Sequence, residues 1–159
     1  MHILITRPLE DCSEMILKFK SLGHKVSNLP LLNIKRNDYQ EVNFSEYEGI
    51  IFTSANAIKF LNLDKLDKNI KCFCVGNLTE KKARSVGFQN TFAAGGNVLN
   101  LKELIIQNYE SKDKQLLYVS GEIISVDLDQ ELLKEGFIVK RIINYQVNHN
   151  QKFDENFIK

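Results

Sequence analysis

Two unbroken apolar runs, at residues 50–52 and 72–75, set the pattern of this chain. Each stops at small polar residues, Thr53-Ser54-Ala55-Asn56 and Gly76-Asn77-Leu78-Thr79, and a stretch with helical spacing follows each one. A continuous apolar run bounded by turn residues marks a strand buried on both faces, and apolar residues at i, i+3 and i+4 mark one side of a helix. Strand, tight turn and helix in that order aim the helix's unpaired N–H groups past the strand end. Many α/β proteins bind phosphate or carboxylate there. The two turns are expected to face one cleft.

The same alternation runs through the chain. Residues 3–5 predict a short strand ending at Thr6-Arg7-Pro8. Pro8 suits a helix start, where its missing N–H costs nothing. Leu9, Cys12, Ile16 and Phe19 repeat at helical spacing, with Met15 and Leu22 widening the stripe, and Gly23 is placed to close the helix in a left-handed conformation. Residues 26–34 predict a second extended segment, interrupted by Pro30. A proline there marks an edge strand or a crossing between sheets. Residues 35–48 read as a polar linker with at most one helical turn. Ser54 is placed to cap a helix whose inward face is Ala57, Ile58 and Leu61, and Asn77 or Thr79 to cap the next, which Gly87 ends. A weaker strand at 90–94 leads through Gly95-Gly96-Asn97 to a helix marked by Val98, Leu101, Leu104 and Ile105. Residues 116–119 predict a buried strand ending at Ser120-Gly121. Leu128, Leu132 and Leu133 predict a short helix ended by Gly136, and residues 138–147 a long last strand. Residues 153–159 look like the start of a helix with no stop signal. Strand and helix in alternation imply an α/β fold, a parallel sheet with helices on both faces. The two extended segments near residues 3–5 and 26–34 are too few to make a stable sheet alone.

Composition narrows the function. The chain has 159 residues, room for one ordinary domain or two small ones. A net charge of +1 argues against broad electrostatic binding to nucleic acid or to a membrane surface. No apolar run approaches the roughly 20 residues of a membrane span. The apolar start breaks at Thr6-Arg7-Pro8, too early for a signal peptide. Three cysteines do not make a disulfide framework. Cys72 and Cys74, two apart on a strand, share one face and read as buried thiols, which places the chain in a reducing compartment, the cytoplasm. His2, His24 and His149 lie near no cluster with metal-ligand spacing, so no metal is expected.

No G-x-x-x-x-G-K-[ST] or G-x-G-x-x-G loop is present, and no Ser-His-Asp or Cys-His set can be assembled. What remains is a series of turns at strand ends: Thr6-Arg7, Thr53 to Asn56, Gly76 to Thr79, Ala94-Gly95 and Ser120-Gly121. Their Ser, Thr and Asn residues either cap helices only, or line a cleft that binds anions through backbone N–H groups. Arg7, the strong charge in the set, is either a solvated residue at a helix start or a bidentate carboxylate clamp. Tyr145 lies in the last strand, where most tyrosines serve packing.

Taken together, ILITRP at the start, then IIFTSANAIKF, CVGNLTEKKARSVGF, LLYVSG and IINYQV resemble the uroporphyrinogen-III synthase family in order and spacing across essentially the whole chain. The most specific piece is FTSAN followed about twenty residues later by VGNxT. The resemblance implies two flavodoxin-like α/β lobes joined by two crossing strands, with the active site between them. Residues 1–33 would be the first piece of a discontinuous lobe and 36–144 a complete inserted lobe. Residues 145–159 would be the return crossing strand and the start of the remainder, whose second piece is expected after Lys159. The implied reaction closes hydroxymethylbilane, a linear tetrapyrrole with eight carboxylates, to uroporphyrinogen III. It proceeds with loss of water and inversion of the terminal ring through a spiro intermediate, and it needs no cofactor. By resemblance Tyr145 assists loss of the hydroxyl. Arg7, Thr53, Ser54, Asn56, Gly76, Thr79, Ser120 and Gly121 would bind substrate, mostly through backbone N–H groups. The chain is expected to be a monomer, with dimerisation open if the partial lobe is exposed. A truncated or non-catalytic flavodoxin-like binding module is the alternative. A receiver-like signalling domain fits poorly, because Thr6-Arg7 and Ser54 stand where acidic residues are needed.

Overall fold

The computed structural model describes residues 1–150. It divides into two units, Met1–Lys35 together with the stretch from Val147, and Arg36–Gln146. In the first unit β1 (His2–Ile5) pairs in parallel with β2 (Lys25–Asn28), Ile3 standing opposite Val26. Between them runs α1 (Ser13–Ser21). Ile5, Cys12 and Ile16 form its small core, with Ile3, Phe19 and Val26 packed against them. The helix expected from Leu9 is split. Pro8 stays extended at φ −49° and ψ 140°, residues Leu9–Asp11 make a single 3-10 turn, and the α-helix begins at Ser13. Leu9 is consequently exposed, Leu22 at the far end of the helix is exposed as well, and the buried stripe is narrower than the spacing suggests. Pro30 divides the second extended segment into β2 and β3 (Leu32–Arg36).

In the second unit five parallel strands lie in the order β8-β7-β4-β5-β6. They are β4 (Gly49–Phe52), β5 (Lys71–Cys74), β6 (Thr91–Ala93), β7 (Gln115–Gly121) and β8 (Ile138–His149). β8 runs on to pair with β3. Bonds from Asn37 N to Asn144 O and from Asn150 N to Leu31 O flank that pairing, and their opposed order along the chain makes it antiparallel. The helices are α2 (Ala55–Lys59), α3 (Asn77–Ser85), α4 (Val98–Gln107) and α5 (Leu128–Lys134). Successive strand residues point to opposite faces. Ile51, Phe73, Leu116 and Tyr118 pack under Leu101 and Ile105 of α4 and Leu128 and Leu132 of α5. The alternate residues Ile50, Phe52, Cys72, Cys74, Leu117 and Val119 are equally buried, on the face that α2 and α3 cover. Burial on both faces is what a parallel sheet requires, and each large side chain contributes about 1.5–3 kcal/mol. The expected layering is therefore present, wound outward in both directions from β4.

Several local expectations hold, and two are corrected. Ser54 caps α2, its Oγ accepting from Asn56 N at 3.2 Å, and Ala57, Ile58 and Leu61 are buried. A 3-10 turn at Phe44–Glu46 sits in the polar linker. Gly23, Gly87 and Gly136 follow their helices with φ of 80°, 104° and 98°. Neither Asn77 nor Thr79 caps α3. Gly76 holds that position in a fully extended conformation, no side chain closes the helix, and Thr79 is buried in its first turn. The short helix marked by Leu128, Leu132 and Leu133 is present as α5, with Leu133 on its exposed side and Phe137, just past its end, packed in the core. The weak strand shrinks to Thr91–Ala93. The helix expected near Phe153 lies outside the described residues.

One polar anchor ties α3 to β6. Glu80 Oε1 accepts from Thr91 Oγ1 at 2.8 Å and from Arg84 Nη2 at 2.9 Å. The Thr91 bond first, and the Arg84 guanidinium next, hold the Glu80 carboxyl below its usual range. A depressed carboxylate stabilises the fold above its unfolded pKa, and that stabilisation is lost as pH falls through the folded value. Glu80→Gln is therefore expected to lower the urea midpoint at pH 7. The gap to the parent should close as the pH is taken below the carboxylate range, as urea titrations across that range will show.

Candidate functional site

Polar side chains gather where the buried strands end. A cavity of about 580 Å³ opens there in the second unit. It straddles β4 and β7, between which the winding of the sheet reverses, the position where open α/β sheets bind ligands. Thr53 and Ser54 come from the end of β4, Tyr118 from β7 and Tyr145 from β8, and residues 96–99 and 123–126 complete the wall. None of these lining residues is charged. Anions would meet hydroxyls and helix N-termini instead. α4 is capped by Asn97, whose side chain accepts from Asn100 N at 2.8 Å. α3 starts without a side-chain cap. The turn before α4 is tied to β5 by Gly96 N donating to Val75 O at 2.9 Å. A methyl group on Gly76 would lie 3.4 Å from Gly96 Cα, an ordinary contact, so the two turns are neighbours.

Tyr145 reaches the cavity through a break in register. Ser120 pairs with Ile143 and Gly121 with Tyr145, which leaves Asn144 as an extra residue on β8. Such a bulge turns the following side chain to a new direction. Asn144 is fully buried, and its Nδ2 donates to Ala57 O of α2 at 2.7 Å. Its own carbonyl accepts from Asn37 N at 2.9 Å. The Tyr145 ring lies over Gly121 so closely that a Cβ there would stand 2.6 Å from Cζ and 2.9 Å from the hydroxyl. Only glycine leaves that space. On its other side the ring packs against Phe60, with centroids 6.4 Å apart.

Arg141 secures the neighbouring loop. Its Nε donates to Ser120 Oγ at 2.8 Å, and its Nη2 donates to Gly121 O at 2.9 Å and Glu122 O at 3.2 Å. Its guanidinium also stands 5.9 Å from the centre of the Tyr118 ring. Tyr118 OH lies 3.2 Å from Thr53 Oγ1. Burial pushes the Tyr118 phenol up from its ordinary value, against a smaller downward pull from the Thr53 bond and the Arg141 charge.

Of the residues expected from sequence, Thr53, Ser54 and Tyr145 line this cavity, and Gly121 shapes it. Gly76 stands behind it, against Gly96. Ser120 is fully buried, its hydroxyl held by Arg141 and donating to Gly121 O, so it offers no side-chain contact to a ligand. Asn56 and Thr79 are not among the lining residues. Arg7 belongs to the first unit, where it borders a separate cavity of about 460 Å³ with Thr6, Asp11, Ile34 and His149. Sequence reasoning missed Tyr118, Asn97, Arg141 and Asn144. A polar Asn within the apolar run IINY was the signal for the bulge, since Asn is depleted in strand interiors. Cys72 and Cys74 are buried with their sulfurs 3.9 Å apart. The hydrogen bond between them, followed by burial, pushes the Cys72 thiol up, which makes it a poor nucleophile.

Comparison with known proteins gives one consistent result. The family model described as uroporphyrinogen-III synthase HemD matches residues 13–159. A porphyrin biosynthesis protein HemD from Ruminiclostridium josui is 26% identical over 163 residues, covering 92% of this chain and 32% of that protein. The chain thus spans about a third of the length of this curated relative. The crystal structure of uroporphyrinogen-III synthetase from Helicobacter pylori superimposes with a TM-score of 0.67 at 21% identity, over 99% of this chain and 67% of the other. A mutant uroporphyrinogen III synthase from the extremely thermophilic bacterium Thermus thermophilus gives a TM-score of 0.56 at 12% identity, over 94% and 64%. At these identities the structural likeness speaks for the fold.

The close approach at Gly121 yields a test that needs no ligand. Gly121→Ala is expected to displace the Tyr145 ring from the cavity, at an overpacking cost of about 1–3 kcal/mol. Urea denaturation measures the cost, and the chemical shifts of ring-labelled tyrosine report the displacement.

Proposed function

The chain belongs to the uroporphyrinogen-III synthase family, and from that premise we propose that it acts on hydroxymethylbilane, closing it to uroporphyrinogen III with loss of water and inversion of the terminal ring. The observation that carries this reading is the cavity at the β4–β7 switch point, with Tyr145 aimed into it and no charged residue in its lining. The reaction calls for a mild acid at the departing hydroxyl and for a surface that holds the two ends of a flexible polyanion together. A neutral phenol beside N–H and hydroxyl donors supplies both without trapping the product. Tyr145 donates to the departing hydroxyl, which leaves as water. The N-terminal turns of α2 and α4, at the cavity wall, hold carboxylates through backbone N–H groups. The protein works as a cytoplasmic monomer.

The experiment is product analysis. Without enzyme, hydroxymethylbilane closes to isomer I, with no ring inversion. This chain is expected to give isomer III, and Tyr145→Phe to slow turnover with unchanged unfolding behaviour. Isomer I alone would point to a binding module of the same fold. Unchanged turnover in Tyr145→Phe would remove the tyrosine from the mechanism.

A further inference from the structure

The second tyrosine of the cavity has a task of its own. Tyr118 stands on β7 opposite Ile51 of β4, and its hydroxyl reaches Thr53, just past the end of β4. A tyrosine buried this deeply in a strand brings its hydroxyl to a partner. Here the partner is another hydroxyl, at 3.2 Å, and either atom can donate. Two hydroxyls carry two protons, and one bond between them uses one. The second proton is left for an acceptor. Among the described residues neither hydroxyl has another hydrogen-bond partner, and the cavity that both line holds no carboxylate to receive the proton. Two charges act on the Tyr118 phenol from beyond the cavity lining, the Arg141 guanidinium beside its ring and, more weakly, the Asp129 carboxylate, so the positive one prevails, while the Arg141 N–H groups are engaged with Ser120, Gly121 and Glu122.

We propose that Tyr118 and Thr53 act as one donor pair that binds a carboxylate oxygen of the ligand at the floor of the cavity. The assignment to a tetrapyrrole carboxylate rests on the function proposed above; the preference for a carboxylate rests on the pair itself. Tyr145 then remains free for the departing hydroxyl. The pair is a specificity element as well, since a ligand with an apolar group at that place leaves a buried proton unmatched.

Titration calorimetry on the whole chain tests this with two probes. One is uroporphyrin III, an octacarboxylate macrocycle. The other is mellitate, a compact hexacarboxylate unrelated to pyrroles. Tyr118→Phe keeps the ring in the core and removes only the hydroxyl, and Thr53→Val does the same for the strand end. Each is expected to weaken binding of either probe about tenfold or more. The double variant should be no weaker than the single ones, as befits groups that work together. Thr53→Ser, which keeps the hydroxyl, should bind as the parent does. A merely structural role would move thermal stability without this pattern. Uroporphyrin bound equally well by parent and Tyr118→Phe would overturn the pair and leave the synthase reading standing. Mellitate bound through the pair, with uroporphyrin not bound, would support the pair and count against the synthase reading. Failure of the parent to bind either probe would overturn the pair.

Discussion

A parallel strand covered on both faces has no place for a polar side chain until it ends, and the second unit is built on that constraint. Ile50, Ile51 and Phe52 are completely buried, and the next two residues are Thr53 and Ser54. The change from apolar to polar is therefore abrupt and falls at the same edge of the sheet in strand after strand. Helices that must return over either face begin at that edge, each with N–H groups that no carbonyl of its own can satisfy. The cavity follows from these requirements more than from any single residue. Its position between β4 and β7 follows from the winding, because the chain leaves β4 in one direction and comes back on the other side.

Within that frame the last strand departs from regularity, and the departure shapes the chemistry. A regular β8 would alternate its side chains strictly between the faces. The extra residue at Asn144 interrupts the alternation one position before Tyr145. The bulge is secured from three directions: the side-chain amide to α2, the carbonyl to the linker at Asn37, and the absence of a side chain at Gly121. Arg141, three residues upstream, fastens the end of β7 against the same stretch. Tyr145 is thus held by backbone geometry and by packing on Phe60, with few polar contacts of its own. A phenol held in this way keeps its hydroxyl available.

The fold was legible where burial dictates sequence. The runs at 50–52, 72–75 and 116–119 could be nothing but buried strands, and Gly23, Gly87 and Gly136 punctuate the helices for a steric reason that leaves a clear trace. Legibility fell where the backbone alone decides. Nothing in Gly76-Asn77-Leu78-Thr79 tells which residue is the cap, because Asn77 and Thr79 are both good caps and the extended Gly76 precludes either. The split at Pro8 hides in the same way, since Leu9 keeps helical spacing from Cys12 while the chain is still turning. At the site, residues in turns such as Thr53 and Ser54 were visible because turns betray themselves by composition. Tyr118 was hidden by its strand neighbours: among Leu116, Leu117 and Val119 a tyrosine reads as packing, and only the distance to Thr53 reveals what its hydroxyl meets.

The turns at Gly76 and Gly96 are distant in sequence and lie side by side, each just before a helix. Gly96 N is bonded to Val75 O, and Gly76 leads straight from β5 into α3. A methyl group at 76 would make only an ordinary contact with Gly96 Cα, so a small side chain fits there, whereas Gly96 has open space around it but a φ of 92° that favours glycine. The two positions are therefore under separate constraints, room at 76 and backbone conformation at 96, and a change at one does not call for a change at the other.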